Sequence, residues 1–206
     1  MIVQDFVPGD DTCMRVMNCY SDTHGKVKMM ALGDVLLEEH TPEGIGSYGA
    51  IMTGYNADIN ERIKGFLEEI GYVGFSNFDL KYDKRDGSFK LFEINPRQGR
   101  SSYFTTASNK NLARYLVRDV VYGEDRPLDV ATLDDEVLWT MIPLDVIRTY
   151  VSDPEAWHAP SGSSARGRCA RRTGARRTSR WPAGSATRST SGIIASNMRR
   201  ASATAA

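Results

Sequence analysis

Apolar and polar residues along the first 125 positions change period several times, and each change marks an element. Around "NADINERIKGFLEEIGY" the apolar residues Ile59, Ile63, Phe66, Leu67 and Ile70 recur at threes and fours, which predicts a helix. Asn56 or Asp58 can cap its start, and Gly71 ends it. "NKNLARYLVRDVVYG" repeats the pattern with Leu112, Tyr115, Leu116 and Val120, and stops at Gly123. Elsewhere the period is two. "IVQDFVPGDDTCMRVMNCYSD" reads as a strand, a Pro-Gly break and a second strand, and "DTHGK" as a hairpin turn. "VKMMALGDVLLEEHT" continues as strand, "PEGIGSYGAI" reads as a glycine-rich loop, and "YVGFSNFDLKYD" and "SFKLFEIN" form a hairpin around Asp86-Gly87. Strands, a helix, a hairpin and a helix in that order predict an α+β layer with a mainly antiparallel sheet.

Composition changes this picture at one place. The 206 residues carry 26 basic and 26 acidic groups, but every acid lies within residues 1–156. That part holds 16 basic residues, for a net charge of about −10, whereas residues 157–206 hold ten Arg and no acid. The same segment has no Leu, Val, Phe, Tyr or Lys, so it cannot bury enough apolar surface to offset its ordering entropy. A disordered tail is expected, and the abrupt break near Trp157, together with residues typical of GC-rich codons, reads as a shifted reading frame. The alternative is an Arg-rich arm for nucleic acid, which is otherwise not expected as a partner. No apolar run approaches the roughly 18–20 residues that span a bilayer, and a cytoplasmic protein without a membrane partner is the expectation. Cys13, Cys19 and Cys169 have no metal-ligand spacing; Cys13 and Cys19 read as small core residues.

The chemistry concentrates in the hairpin. Glu93 and Asn95 are two apart on one strand and share a face, roughly 6.5–7 Å from each other. The turn sets Asp79 opposite Glu93 or within one residue of it, at about 5 Å for facing side chains. Two carboxylates that close repel unless a cation lies between them, and an all-oxygen set with no His or Cys suits Mg²⁺, which brings phosphates with it. Arg97 and Arg100, just beyond, offer guanidinium forks to anionic oxygens. Alone, each residue is an ordinary strand-end acid, turn amide or solvated cation. Together they predict a metal site.

These residues carry a family resemblance. "GFSNFDLKYDKRDGSFKLFEINPRQG" resembles the metal-binding hairpin of the ATP-grasp superfamily, with an Asp on one strand and Glu-x-Asn-x-Arg on the next. Upstream, "IVQDFVPGDD" resembles the hinge between that family's two lobes. The resemblance implies Asp79, Glu93 and Asn95 as Mg²⁺ ligands and Arg97 as a phosphate-side or substrate-side cation. It implies that Gln4, Asp5, Phe6 and Val7 meet the adenine edge, that Asp11 binds the ribose, and that Lys28 contacts phosphate. "LLEEHTPEGIGSYGA" and "NPRQGRSSYFTTAS" resemble loops of the carboxylate-amine ligases that include D-aspartate ligases, which makes Arg100, Ser101 and Ser102 candidates for the acceptor or acyl-phosphate side. The implied reaction is ATP- and Mg²⁺-dependent: the γ-phosphoryl passes to a carboxylate, and an amine attacks the acyl phosphate to give an amide. The implied partners are small-molecule carboxylates and amines, and His24 and His40 are read as structural.

The implied organisation is an ATP-grasp C-terminal lobe at 1–125, an extension of it at 126–156 and the tail at 157–206. Because the hinge-like stretch begins at residue 2, the expectation is a chain carrying one lobe of two, with ligase activity weak or absent on its own. A nucleotide- or metal-binding module without catalysis is the other reading.

Overall fold

The computed structural model describes residues 3–44 and 46–151 and the backbone of 168–171. Five strands make its frame: β1 (Met14–Ser21), β2 (Val27–Glu38), β3 (Tyr48–Gly54), β4 (Gly74–Asp83) and β5 (Ser88–Asn95). The short strands β6 (Asp129–Val130), β7 (Val137–Thr140) and β8 (Arg168–Arg171) complete one sheet. Its order is β5-β4-β1-β2-β3-β7-β8, with β6 beside β2. Among the described residues only the β2–β6 and β7–β8 pairings are parallel, so the mainly antiparallel α+β architecture is as expected. Among the described residues four α-helices pack on the sheet: α1 (Ala57–Glu69), α2 (Tyr103–Ala107), α3 (Leu112–Leu116) and α4 (Leu144–Tyr150). Residues 1–173 form one compact unit; the second, 174–206, lies outside the described residues.

The turns and caps follow local chemistry. Of the two candidate caps for α1, Asn56 does the work: its side chain accepts from the Ile59 N–H at 3.1 Å. Gly71 after the helix and Gly87 in the β4–β5 turn have φ of 63° and 69°, a conformation that costs other residues more. α3 begins at its Asn111 cap and runs on through a π-helical turn, Val117–Val121, to Gly123 at φ 63°.

Period two on β1 divides its side chains between two layers. Met17 and Cys19 pack with Phe78 and Leu80 of β4 against Ile59, Ile63 and Leu67 of α1. Val16 and Tyr20 point the other way, toward Phe104 of α2, Tyr115 of α3 and Trp139 of β7. Asn77 and Asp79, which alternate with Phe78 and Leu80, therefore lie on the face away from α1.

Three sequence expectations need correction. Residues 3–10 form no strand: Pro8 cannot donate, Gly9 stands at φ 128°, and Asp10 instead caps a single 3₁₀ turn, Asp11–Cys13. Cys13 is therefore buried in that turn and only Cys19 in a strand. The loop expected through Ile51 ends at Tyr48, where β3 begins; Gly49 and Ala50 hide its pattern, and burial between β2 and β7 removes the alternation. β6, β7, α2 and α4 are too short to show a period and were not expected. The expected tail, 157–206, lies outside the described residues except for Arg168–Arg171, whose backbone pairs with β7. No helix among the described residues is long and apolar enough to cross a membrane.

Candidate active site

The hairpin register decides what the site can hold. Asp79 on β4 lies opposite Glu93 on β5, and Asn77 lies opposite Asn95. A bulge follows: Leu80 pairs with Leu91, and Phe92 is the extra residue. The bulge keeps Glu93 on the face of Asp79 while Leu91 stays with the α1 layer. Glu93, Asn95, Arg97 and Arg100 of the β5 end and its loop, with Asp79, line one cavity of about 120 Å³. Those five expected residues are thus brought together.

Hydrogen bonds set the orientation of the polar groups. Asn95 Nδ2 donates to Asn77 Oδ1 at 3.4 Å, and Asn77 Nδ2 donates to Asn18 Oδ1 at 3.4 Å, an amide relay from the sheet edge to β1. With its nitrogen so used, Asn95 keeps its oxygen for the cavity. Tyr48 donates to Asp79 Oδ1 at 2.7 Å, and the second oxygen of Asp79 is not drawn into that bond. Burial pushes the Asp79 pKa up; Tyr48 opposes this, Glu93 adds to it and Arg97 opposes it. The Tyr48 hydroxyl is itself pushed up, first by burial and then by Asp79. Arg100 Nη1 donates to Ser47 Oγ at 2.6 Å, which fixes the guanidinium against the β3 loop. Among the described residues no three His, Cys, Asp or Glu side chains form a metal cluster; the donor set here is two carboxylates and an amide. That hard-oxygen set fits a cation that also takes ligand oxygens.

The hinge-like segment forms a second hollow. Gln4, Asp5, Phe6 and Val7 line a cleft of about 590 Å³ with Lys81, Phe92 and Glu93. Gln4 Nε2 reaches the Phe92 carbonyl at 3.4 Å, Phe6 is exposed, and the Lys81 ammonium lies 5.9 Å from its ring centroid. Glu93 lines both hollows, so cleft and cavity share that residue.

Two expected residues stand apart. Asp11 accepts at one oxygen from the Glu38 N–H at 2.9 Å and faces His40 Nε2 at 3.0 Å; it lines neither hollow. Lys28, near the other end of β2, is held by Asp125 at 2.6 Å and Asp22 at 3.3 Å. Of the acceptor candidates, Ser101 lines the cavity, and Ser102 Oγ faces Gln98 Oε1 at 3.5 Å.

Sequence reasoning missed Tyr48, Lys81 and Trp139, which line the two hollows. Lys81 was legible, because it follows Asp79 by two on one strand. Tyr48 and Trp139 were not, since they come from strands β3 and β7, which reach the site only through the fold. Burial pushes the Glu38 pKa up, with Asp11 adding to it and Lys81 opposing.

Comparison with known proteins adds a relative to this geometry. Over 158 residues, 75% of the chain, it is 50% identical to the D-aspartate ligase of Enterococcus faecium (strain Aus0004). This chain is D-aspartate ligase-like. It spans 38% of that ligase's length. The ligase-like chain also superimposes on the biotin carboxylase domain of Hydrogenobacter thermophilus 2-oxoglutarate carboxylase, at 13% identity and a TM-score of 0.43, covering 59% of this chain and 26% of that one. For the L-amino acid ligase of Bacillus licheniformis the values are 18%, 0.37, 57% and 33%. No family model matches the chain.

Proposed function

We propose that this chain carries the metal-binding half of an ATP-dependent carboxylate-amine ligase site. Residues 1–125 would be the lobe itself and 126–156, whose strands β6 and β7 join the same sheet, its extension. The observation that carries the reading is that the two hollows share Glu93. A nucleotide lying along Gln4–Val7 would bring its phosphates toward Lys81 and Glu93, and from there toward Arg97. Asp79, Glu93 and the Asn95 oxygen would hold Mg²⁺, which when bound neutralises phosphate charge. The chain's own part is positioning: Tyr48 orients Asp79, the amide relay orients Asn95, and Arg97 and Arg100 present donors to anionic oxygens. Phosphoryl transfer of this kind needs no protein nucleophile. The bond formed is an amide, and ATP leaves as ADP and phosphate. By analogy with the relative's name, D-aspartate is the carboxylate we favour.

Calorimetric titration of ATP into the chain with and without Mg²⁺, repeated on Glu93→Gln, tests the reading. Mg²⁺-dependent binding weakened at least about tenfold by the substitution is expected, because one of two cation-facing charges is lost. Equal binding to both proteins, or none that needs Mg²⁺, would sink the proposal. Binding without ADP release in the presence of D-aspartate and amines would leave a nucleotide-binding module and remove catalysis by this chain alone.

A further inference from the structure

Trp139 is 1% exposed, sits on β7 opposite Ile51 of β3, and packs in the layer of Phe104 and Tyr115. That much describes a core residue. Two further observations do not. Its Nε1–H has no hydrogen-bond partner among the described residues, and Trp139 is one of the residues lining the cavity that holds Arg97 and Arg100. The other buried side-chain atoms without a partner among the described residues belong to Asn18, Ser21, Asn60 and Ser76, none of which lines this cavity. Leaving a buried donor unpaired costs about 1–3 kcal/mol, so a fold keeps one at a cavity wall where something else completes it.

The chemistry of that partner is constrained. An indole N–H only donates, so the ligand atom is an acceptor. Guanidiniums at the same cavity favour an anion with paired oxygens, and Arg100, which gives one N–H to Ser47, has donors remaining in its fork. Asp79 and Glu93 repel an anion unless a cation covers them, so the anion belongs at the Arg side. We propose that the Trp139 indole N–H is a substrate-binding donor that takes one oxygen of the carboxylate substrate, the charge of which is met by Arg97 and Arg100. This rests on the ligase reading and adds a residue from outside the hairpin and hinge motifs.

The test follows the indole N–H itself. The full chain contains three Trp, at 139, 157 and 181, so ¹⁵N-indole spectra of Trp157→Phe and Trp181→Phe identify the Trp139 signal. D-Aspartate is titrated in the presence of Mg²⁺ and ADP, with inorganic phosphate as a parallel arm, and Mg²⁺-ATP affinity is measured on the same samples. A saturable downfield shift of the Trp139 signal with D-aspartate is expected. With it should come about tenfold weaker D-aspartate binding in Trp139→Phe and Mg²⁺-ATP affinity within about twofold of wild type. D-Aspartate binding that leaves the Trp139 signal in place, or a signal that moves with phosphate alone, overturns the assignment while the ligase reading stands. Absence of both Mg²⁺-ATP and D-aspartate binding removes the ligase reading and this inference with it. The wild-type shift gives an answer even if Trp139→Phe does not fold.

Discussion

Tyr48 shows how one hydroxyl governs a pair of acids. Asp79 faces Glu93 across the hairpin, and burial already holds its pKa above the ordinary carboxylate value; the phenol bond at 2.7 Å is what opposes protonation most directly. Tyr48→Phe should lower stability by about 1–2 kcal/mol, read by urea unfolding, and weaken Mg²⁺ binding without abolishing it. Asp83 behaves in the opposite sense. The Arg85 guanidinium, at 2.7–3.1 Å from both of its oxygens, depresses its pKa from 3.8 to about 2. A depressed folded-state pKa contributes stability that is present above the unfolded value and is lost as pH falls toward the folded one. The stability gap between wild type and Asp83→Asn should therefore be full at pH 7 and shrink between about pH 4 and 2, followed by urea unfolding across that range. A gap that stays constant would mean that the Arg85 bonds contribute no charge-dependent stability.

At the scale of elements, α1 and the β4–β5 hairpin were readable because their signals are local. Ile59, Ile63 and Leu67 repeat within one helix, and Asp86-Gly87 sits in the turn it specifies. Asn56→Ala should cost about 1 kcal/mol, as loss of a single N-cap does, with the far-UV spectrum retained. Phe78→Ala should cost far more, about 3–5 kcal/mol, because Phe78 is buried between β1 and α1. Chemical denaturation separates these two magnitudes. Glu93 and Asn95 were legible as a pair for the same reason, because strand period puts them on one face; that this face is also Asp79's was not, since the turn register alone sets Phe92 opposite Asp79 and the bulge there shifts Glu93 into place. β3 and β7 were not, since burial on both faces erases alternation and Gly49 and Ala50 carry no pattern. The positions of Tyr48 and Trp139 at the site could only come from the sheet order. Residues 3–10 failed differently: Val3, Phe6 and Val7 look like strand, but Pro8 and Gly9 deny the segment a ladder.

For the molecule as a whole, the proposed ligands bind the folded chain and not the unfolded one, so they must raise its stability by mass action. Mg²⁺ with ATP at about 100 times the dissociation constant should add about 2.7 kcal/mol, seen as a rise in Tm that a chelator reverses. ATP with a chelator throughout should give little of it. The sheet order adds something that an equilibrium melt does not see. Asp79 stands on β4, flanked on both sides, whereas Glu93 and Asn95 stand on β5, the outermost strand at that end of the sheet. Outer strands open more often than inner ones, and their amide protons trade with solvent sooner. A cation gripped between Asp79 and Glu93 would staple the fraying strand to its stable neighbour. Its arrival would be written as slowed deuterium uptake along β5, with β1 unchanged.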